Sequence, residues 1–422
     1  MTRLLLLLPS TTYRTTAFVE AARRLGVDLT VASERSSTFE RAQPANLLTL
    51  DFGDPRGAAA DVRRFARDHP IGGVVGVDDD TAVVAAAIAA DLHLGVGNSE
   101  SAALAARDKH VQRVTLAAAG VPVPRFSLHP LEEDAAGLAG RVAYPCVLKP
   151  LRLAASRGVI RADAQAEFVT ARERLRRILE QPEVAKCGEW ARQFLVEEFI
   201  PGPEVALEGL LVAGRLHVLA LFDKPDPLDG PFFEETIYVT PSRLPLLEQG
   251  AVRQVAQDAV SALGLRDGPV HAELRVNERG PWLIELAARP IGGRCSAVMR
   301  FETREAGCGM REASLEELIL RHALGLPLPS LERERRAAGV MMIPVPGAGV
   351  LREVRGVAEA RAVPLVEEIA ITAHPGQELV PWPEGFRYPG FIFARGETPA
   401  AVEAALRAAH GRLHFVLEPV RA

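Results

Sequence analysis

Cysteine is scarce: Cys146, Cys187, Cys295 and Cys308 are the four in 422 residues, and none forms a C-x-x-C pair. Their spacing fits neither a zinc site nor a small disulfide scaffold, so the chain reads as a protein of the reducing cytoplasm. Basic excess is missing too. Lys and Arg number 49 against 54 Asp and Glu, a formal net charge of −5, which argues against a binder of nucleic-acid backbones. No stretch approaches the ~18 apolar residues of a membrane span, so no membrane is expected as a partner. Arg3 followed by Leu4–Leu8 resembles the start of a signal peptide, but Pro9-Ser10-Thr11-Thr12 ends the apolar run too early for an h-region. There is no histidine cluster with metal-ligand spacing, no internal repeat and no low-complexity tract. The phosphate-loop pattern G-x-x-x-x-G-K-[ST] is absent. Gly95-Val-Gly97 lacks the third glycine of a dinucleotide fingerprint, and no helical pattern follows Gly347-Ala-Gly349.

What remains is an ordinary globular composition, 48% apolar and 24% charged, with length for about two to four compact units. Over the first hundred residues short apolar runs alternate with Ala-rich amphipathic segments. Leu4–Leu8, Leu29–Ala32 and Gly73–Val77 read as strands; Thr16–Leu25, Ala58–Asp68 and Thr81–Leu92 read as helices. That rhythm implies a parallel sheet with helices on its faces, and Leu4–Leu8 as a strand buried on both. One further helix is expected over Ser99–Ala119, before the turn at Gly120–Pro124. The middle section mixes strands and helices in the α+β manner. Strands are expected at Tyr144–Lys149, Phe194–Phe199, Glu204–Leu211 and Leu216–Leu221, with a hairpin turn at Val212-Ala213-Gly214-Arg215. Helices are expected at Glu167–Leu179 and Ser314–Leu324. A third unit, rich in Gly and Pro, follows the charged stretch Leu331–Arg336, with strands at Val340–Ile343 and Gly390–Ala394 and a helix near Pro399–Ala409.

The most informative stretch is His271–Pro290. His271–Val276 and Trp282–Ala288 alternate and flank Asn277-Glu278-Arg279-Gly280, which reads as a β-hairpin. A turn near Arg279 sets Glu273 directly opposite Glu285. Like charges in that relation cost a few tenths to ~1 kcal/mol, and apolar neighbours make it worse. A divalent cation between them removes the conflict, and oxygen ligands favour Mg²⁺ or Mn²⁺. The alternative is a surface hairpin with ordinary charges. Period-2 geometry puts Glu285, Ala287 and Arg289 on one face, with Arg289 suited to a phosphate. His271 shares the face of Glu273; a lone histidine is more often packed than catalytic.

Two other features are weaker alone. Lys149 ends the apolar strand Tyr144–Pro150, where a lysine is paired or snorkels to solvent. The small residues around Ser156-Arg157-Gly158 can offer backbone N–H groups to phosphates. Val196-Glu197-Glu198-Phe199-Ile200, leading to Pro201-Gly202-Pro203-Glu204, is a strand end able to meet the edge of a base, with Glu204 placed for ribose hydroxyls; it reads equally as a solvated strand end.

Taken in order, Asp108-Lys109, Lys149-Pro150, Glu197-Glu198-Phe199-Ile200, Gly202-x-Glu204, Glu273 and Glu285-x-Ala287-x-Arg289 resemble the ATP-grasp superfamily over almost the whole chain. Within it the likeness is to L-amino-acid ligases, which make dipeptides. It is carried by Asp223-Lys224, Phe233-Glu234-Glu235-Thr236, Pro241-Ser242, Arg289-Pro290-Ile291-Gly292-Gly293, Gly349–Arg352, His374-Pro375-Gly376 and Gly390–Gly396. The resemblance implies an ATP-grasp fold: an N-terminal parallel-sheet domain (1–98), two nucleotide-gripping lobes within 99–330 (about 121–192 and 193–330), and a C-terminal α+β domain (331–422). It also implies residue roles. Lys109 and Lys149 would contact nucleotide phosphates, with Ser156, Arg157 and Gly158 in a mobile covering loop. Glu197, Glu198, Phe199 and Ile200 would form the adenine hinge, and Glu204 would meet the ribose. Glu273 and Glu285 would hold Mg²⁺, and Arg289 would face the transferred phosphoryl group. Glu235, His271, Gly292, Gly293 and Arg294 join Arg289 as candidates for substrate contact.

Two departures stand out. Many family members carry Asn as a further metal ligand where this chain has Ala287, and a Thr-Gly-His-like stretch where it has Thr236-Ile237-Tyr238. The activity implied is amide formation from a small carboxylate and an amine, one of them an amino acid, through an acyl phosphate, with release of ADP and phosphate. The alternatives are a bicarbonate-phosphorylating carboxylase, against which the tail and the absence of a biotin-carrying segment argue, and a nucleotide-binding module without turnover. Oligomeric state stays open, with a homodimer the commonest arrangement of homo-oligomers.

Overall fold

The structure, a computed structural model, describes residues 3–305 and 309–420; Cys308 lies outside them. The N-terminal sheet is parallel throughout, in the order Leu47–Thr49, Asp28–Ser33, Arg3–Leu7, Ile71–Gly76. Its second strand in that order from the far edge explains the unbroken leucine run. Leu4 and Leu6 pack with Phe18 and Ala21 on one face, and Leu5 and Leu7 with Ala59, Val62 and Ile88 on the other. Both faces are dry, so alternation is lost.

The expected helix over Ser99–Ala119 is two helices, Glu100–Arg107 and Lys109–Ala118. Asp108 breaks it: its backbone is extended, and its carboxylate accepts hydrogen bonds from the N–H groups of His110 and Val111. A short acidic side chain competes well for such orphan donors, which is why Asp favours caps over helix interiors. The break sets Lys109 at the first turn of the second helix, with its own N–H bonded to the carbonyl of Leu151 at 3.1 Å.

A four-stranded antiparallel sheet follows, in the order Phe126–Pro130, Gln193–Glu198, Cys146–Pro150, Ile160–Ala162. The helix Gln165–Leu179 covers it through Phe168, Leu175 and Leu179. The largest sheet has eight strands, beginning Gly280–Ala287, Gly268–Asn277, Glu204–Val212, Arg215–Asp223 and Ile237–Thr240. It continues through Ala337–Met342, Gly390–Gly396 and Val366–Ile371, so strands from beyond residue 330 extend the same sheet. The turn at Val212–Arg215 has positive φ at both central residues, Ala213 (51°) and Gly214 (87°), the geometry that matches strand twist in two-residue hairpins. Leu246–Ala262 is a helix that the pattern reading passed over; Val252, Ala256, Ala259 and Val260 form its buried stripe. No helix of the described residues is long and apolar enough to cross a membrane, and Cys146, Cys187 and Cys295 are free.

Candidate active site

The two opposed strands of the hairpin pair as their pattern implies: His271 faces Ala287, Ala272 faces Leu286, and Glu273 faces Glu285. The register then shifts by one residue, so that Leu274 faces Leu283. Such a bulge turns side chains on the bulged strand and commonly adjoins functional sites.

Around this hairpin lies a cleft of about 580 Å³ between the four-stranded and eight-stranded sheets. Lys109, Lys149, Ser156, Glu197, Glu198, Phe199, Ile200, Glu204, Glu273 and Glu285 all line it. A second cavity of about 1170 Å³ opens beside it and holds Glu235, His271, Arg289, Gly292 and Gly293. Ser156, Glu235, Glu273 and Glu285 belong to both walls.

The cations lining the cleft, Lys109, Lys149 and Arg275, lie against carboxylates. Lys149 Nζ is 2.8 Å from Glu197 Oε2, and Arg113 Nε is 2.8 Å from Glu197 Oε1, an ion-pair distance without hydrogen-bond alignment. Burial works to raise the Glu197 pKa, but Arg113 and Lys149 outweigh it and hold the carboxyl below its ordinary range. Lys109 Nζ meets Glu285 Oε1 at 3.0 Å and the Leu153 carbonyl at 3.1 Å. Arg289 Nε is 3.1 Å from Asp79 Oδ2. Burial opposes its charge, yet Asp79 and Glu285 prevail and push the guanidinium pKa up.

Lys224 is the centre of the arrangement. Its Nζ lies 2.7 Å from Glu204, 2.6 Å from Glu235 and 2.9 Å from Glu273. Burial disfavours the ammonium, and the three carboxylates more than restore it, raising its pKa well above the ordinary value. The same cluster splits its acids. Burial and the neighbouring Glu273 push Glu235 up to about 7 despite Lys224. Burial acts upward on Glu273 as well, but Lys224 and His271 hold it well below the usual carboxylate range. Tyr238 donates its hydroxyl to Glu235 Oε1 at 2.5 Å.

These contacts bear on the opposed glutamates. Their repulsion is relieved in this structure by two ammonium groups, Lys109 on Glu285 and Lys224 on Glu273, so a metal is not the sole way to resolve it. Among the described residues, the one group of three carboxylates close enough to share an ion is Glu204, Glu235 and Glu273. Glu273 and Glu285 nonetheless present only carboxylate oxygens to both cavities, a donor set that fits Mg²⁺ or Mn²⁺.

Several expected contacts fall elsewhere. Ser156 faces the cleft, but Arg157 and Gly158 do not: the C-terminal segment holds them. Gly158 N–H donates to the Pro383 carbonyl at 2.9 Å, and Arg157 Nε to the Glu384 carbonyl at 3.2 Å. The Arg157 guanidinium lies 4.8 Å over the Phe386 ring. Trp382 Nε1 donates to the Ala155 carbonyl at 2.8 Å, and Arg174 clasps Glu384 with two bonds of 2.9 and 2.7 Å. Arg294 lines a separate groove with Glu20 and Arg24, because its left-handed backbone (φ 56°) turns it out of the strand's path. Glu204 is engaged by Lys224 and by Arg275 Nε at 3.0 Å. Glu198 pairs with the exposed Arg125 at 2.9 Å. His271 is pinned between the Leu207 carbonyl (3.3 Å) and Glu273 (3.4 Å).

The pattern reading did not single out Arg113, Arg275 or Asp79, and it quoted Lys224 only as part of a likeness. Lys224 carried the signal used for Lys149, a lysine closing an apolar strand. Asp79 and Arg289 are 210 positions apart, and nothing local announces their meeting.

Comparisons with known proteins agree on one family. Residues 142–298 match the ATP-grasp domain, residues 19–95 the ATP-grasp N-terminal domain, and residues 341–418 the L-amino acid ligase C-terminal domain 2. The chain is 30% identical over 255 residues to alanine–anticapsin ligase of Bacillus subtilis strain 168, covering 56% of this chain and 52% of that one. It thus spans about half the length of that relative. It is 28% identical over 328 residues to dapdiamide A synthase of Enterobacter agglomerans, covering 75% and 73%. The crystal structure of an L-amino acid ligase from Bacillus licheniformis superposes with a TM-score of 0.81 at 27% identity, covering 99% of both chains.

Proposed function

The chain belongs to the ATP-grasp superfamily, and from that premise we propose that it is an ATP-dependent carboxylate–amine ligase with an amino acid as donor. The observation that carries this is the shared wall. A nucleotide in the smaller cleft and a carboxylate in the larger cavity would meet at Ser156, Glu235, Glu273 and Glu285.

A carboxylate is a poor electrophile at neutral pH. In the first step a donor carboxylate oxygen attacks the γ-phosphorus of ATP; the bond to the β-phosphate oxygen breaks, and ADP leaves with the electron pair. Such a transfer needs positioning and charge stabilisation more than covalent catalysis. Lys149 and Lys109 supply point charges toward the phosphates, and Arg289 meets the transferred group. Glu273 and Glu285 would hold Mg²⁺, or Mn²⁺, which when bound adds charge neutralisation at phosphate oxygens. The amine nitrogen then attacks the acyl carbon, the carbon–oxygen bond breaks, and phosphate leaves. Glu235, pushed up to about 7, suits the proton given up by the amine. The loop around Ser156, strapped down by the Trp382–Phe386 segment, keeps water from the acyl phosphate.

A binding module without turnover would need none of this convergence of Lys149, Glu273, Glu285 and Arg289. The test is a phosphate-release screen across pairs of amino acids, with mass spectrometry of the products. Amide formed in step with ADP supports the reading; ATP consumption that no amino acid stimulates counts against it.

A further inference from the structure

We propose that the donor amino acid carries an aromatic or large apolar side chain, packed on a wall made by Tyr13, Met342, Tyr388 and Phe391; this rests on the ligase reading in taking the larger cavity as the donor site. The cavity has two unlike walls. Its reactive wall is charged and holds Arg289, Glu235, Glu273 and Glu285. The rest of its lining includes aromatic and apolar residues from separate stretches of chain: Tyr13 in the loop after the first strand, Met342 at the end of Ala337–Met342, and Tyr388 and Phe391 about the start of Gly390–Gly396. The Arg14 guanidinium lies 5.4 Å over the Tyr13 ring and that of Arg294 5.6 Å over the Phe391 ring.

Aromatic residues are only 5% of this chain and tyrosines number four, yet three of them, Tyr13, Tyr238 and Tyr388, line this one cavity. Core packing does not require all of them there, since Tyr13 is 50% exposed. The rings form a continuous patch: Tyr13 and Phe391 have centroids 6.3 Å apart at 48°, and Tyr388 and Phe391 are 6.2 Å apart at 60°. Phe391 (5% exposed) and Met342 (1%) back this patch, and its accessible surface is that of Tyr13 and part of Tyr388. A ring laid there would meet Tyr13 in the offset or tilted manner aromatic pairs prefer. Gly293 keeps the wall open: its φ is +59°, and a Cβ there would sit 2.5 Å from Met342 Sδ.

The charged groups of this cavity are those assigned above to the phosphoryl group, the metal and the amine proton, namely Arg289, Glu273, Glu285 and Glu235, which leaves its aromatic and apolar lining for the donor side chain. A small side chain would leave the aromatic wall uncovered, and filling it is worth roughly 10- to 200-fold per methylene-sized difference in an apolar pocket.

The test separates donor choice from turnover. Hydroxylamine replaces the amine, and hydroxamate is measured for L-Phe, L-Tyr, L-Leu and L-Met against Gly, L-Asp and L-Lys. In parallel, calorimetry measures binding of each amino acid in the presence of Mg²⁺ and a non-hydrolysable ATP analogue. At least tenfold tighter binding of the aromatic and large apolar set is expected, with hydroxamate in the same order. Tyr13→Ala should lower the L-Phe to L-Leu preference and the L-Phe affinity, and Tyr13→Phe should restore both. Equal or tighter binding of Gly, L-Asp or L-Lys overturns the inference. Tight L-Phe binding with no hydroxamate from any donor upholds the wall and overturns the ligase reading instead.

Discussion

Replacing Glu197 by Gln should destabilise the protein more than replacing Lys149 by Met, although Lys149 is the group assigned to the nucleotide. Glu197 has a side chain 1% exposed and sits between Lys149 and Arg113, whose side chain is fully buried. Glu197→Gln leaves two buried cations facing a neutral amide. Breaking a buried pair this way costs about 3–5 kcal/mol. Lys149→Met keeps the Arg113 pair and most of the apolar stem, so its cost is that of one charge-assisted hydrogen bond, about 1.5–3 kcal/mol. A gap of about 2 kcal/mol is worth about 4–8 °C in Tm for a unit of 150–250 residues. Glu197 has a folded pKa below its reference of 4.5, so its contribution is full above that pH and is lost as pH falls through the folded value; the gap should narrow in acid. Thermal melting of both variants without nucleotide, at pH 7 and again at acid pH, is the assay, with calorimetry of ATP binding beside it. ATP affinity should fall further in Lys149→Met. A Glu197→Gln protein that melts at or above Lys149→Met at pH 7 would refute the reasoning.

Three other outcomes are expected. Glu285→Gln should lower turnover by more than about a hundredfold, about 2.7 kcal/mol of barrier, with an unchanged circular-dichroism spectrum; near wild-type activity at saturating Mg²⁺ would remove Glu285 from the metal assignment. Trp382→Ala removes the bond to the Ala155 carbonyl, worth about 1 kcal/mol, and so should open the loop roughly fivefold more often. The readout is a lower yield of amide per ATP consumed, and an unchanged ratio would show that the strap does not guard the intermediate. Glu235 has a folded pKa of about 7 against a reference of 4.5, so the stability tied to its protonated form is lost as pH rises through that window. Glu235→Gln should therefore gain in Tm over the wild type from pH 5 to pH 8, and a gain that is flat with pH would contradict the assignment.

The sequence was most readable where one local pattern settled the matter. The leucine run has no alternation because both faces of its strand are covered, and the alternating hairpin does set Glu273 opposite Glu285, although from the two-residue turn at Glu278-Arg279 it takes the register shift after Glu273 to do so. The elements passed over lacked such a signal. The stripe of Leu246–Ala262 is built mainly from alanine and valine, with Leu246 and Leu247 both exposed at its start. The break at Asp108 is a capping event inside an otherwise helical pattern, visible only once Asp is weighed as an N-cap. At the site, residues that lie on neighbouring strands could be paired from sequence. Long-range partners could not: Lys224 gathers acids from two strands and a loop, and the strap on Ser156–Gly158 comes from more than 220 positions away. The opposed glutamates show the limit of charge arguments, since Lys109 and Lys224, distant in sequence, lie against them in this structure.

The central claim is that the donor carboxylate is activated by phosphoryl transfer. The most direct measurement labels both carboxylate oxygens of the donor amino acid with a heavy isotope and follows them by mass spectrometry through one round of amide formation. One of the two leaves with the phosphoryl group and the other stays in the amide carbonyl, so the account predicts one labelled oxygen in the released phosphate and none in adenine nucleotide. Label recovered in AMP would mean adenylation and would contradict the account.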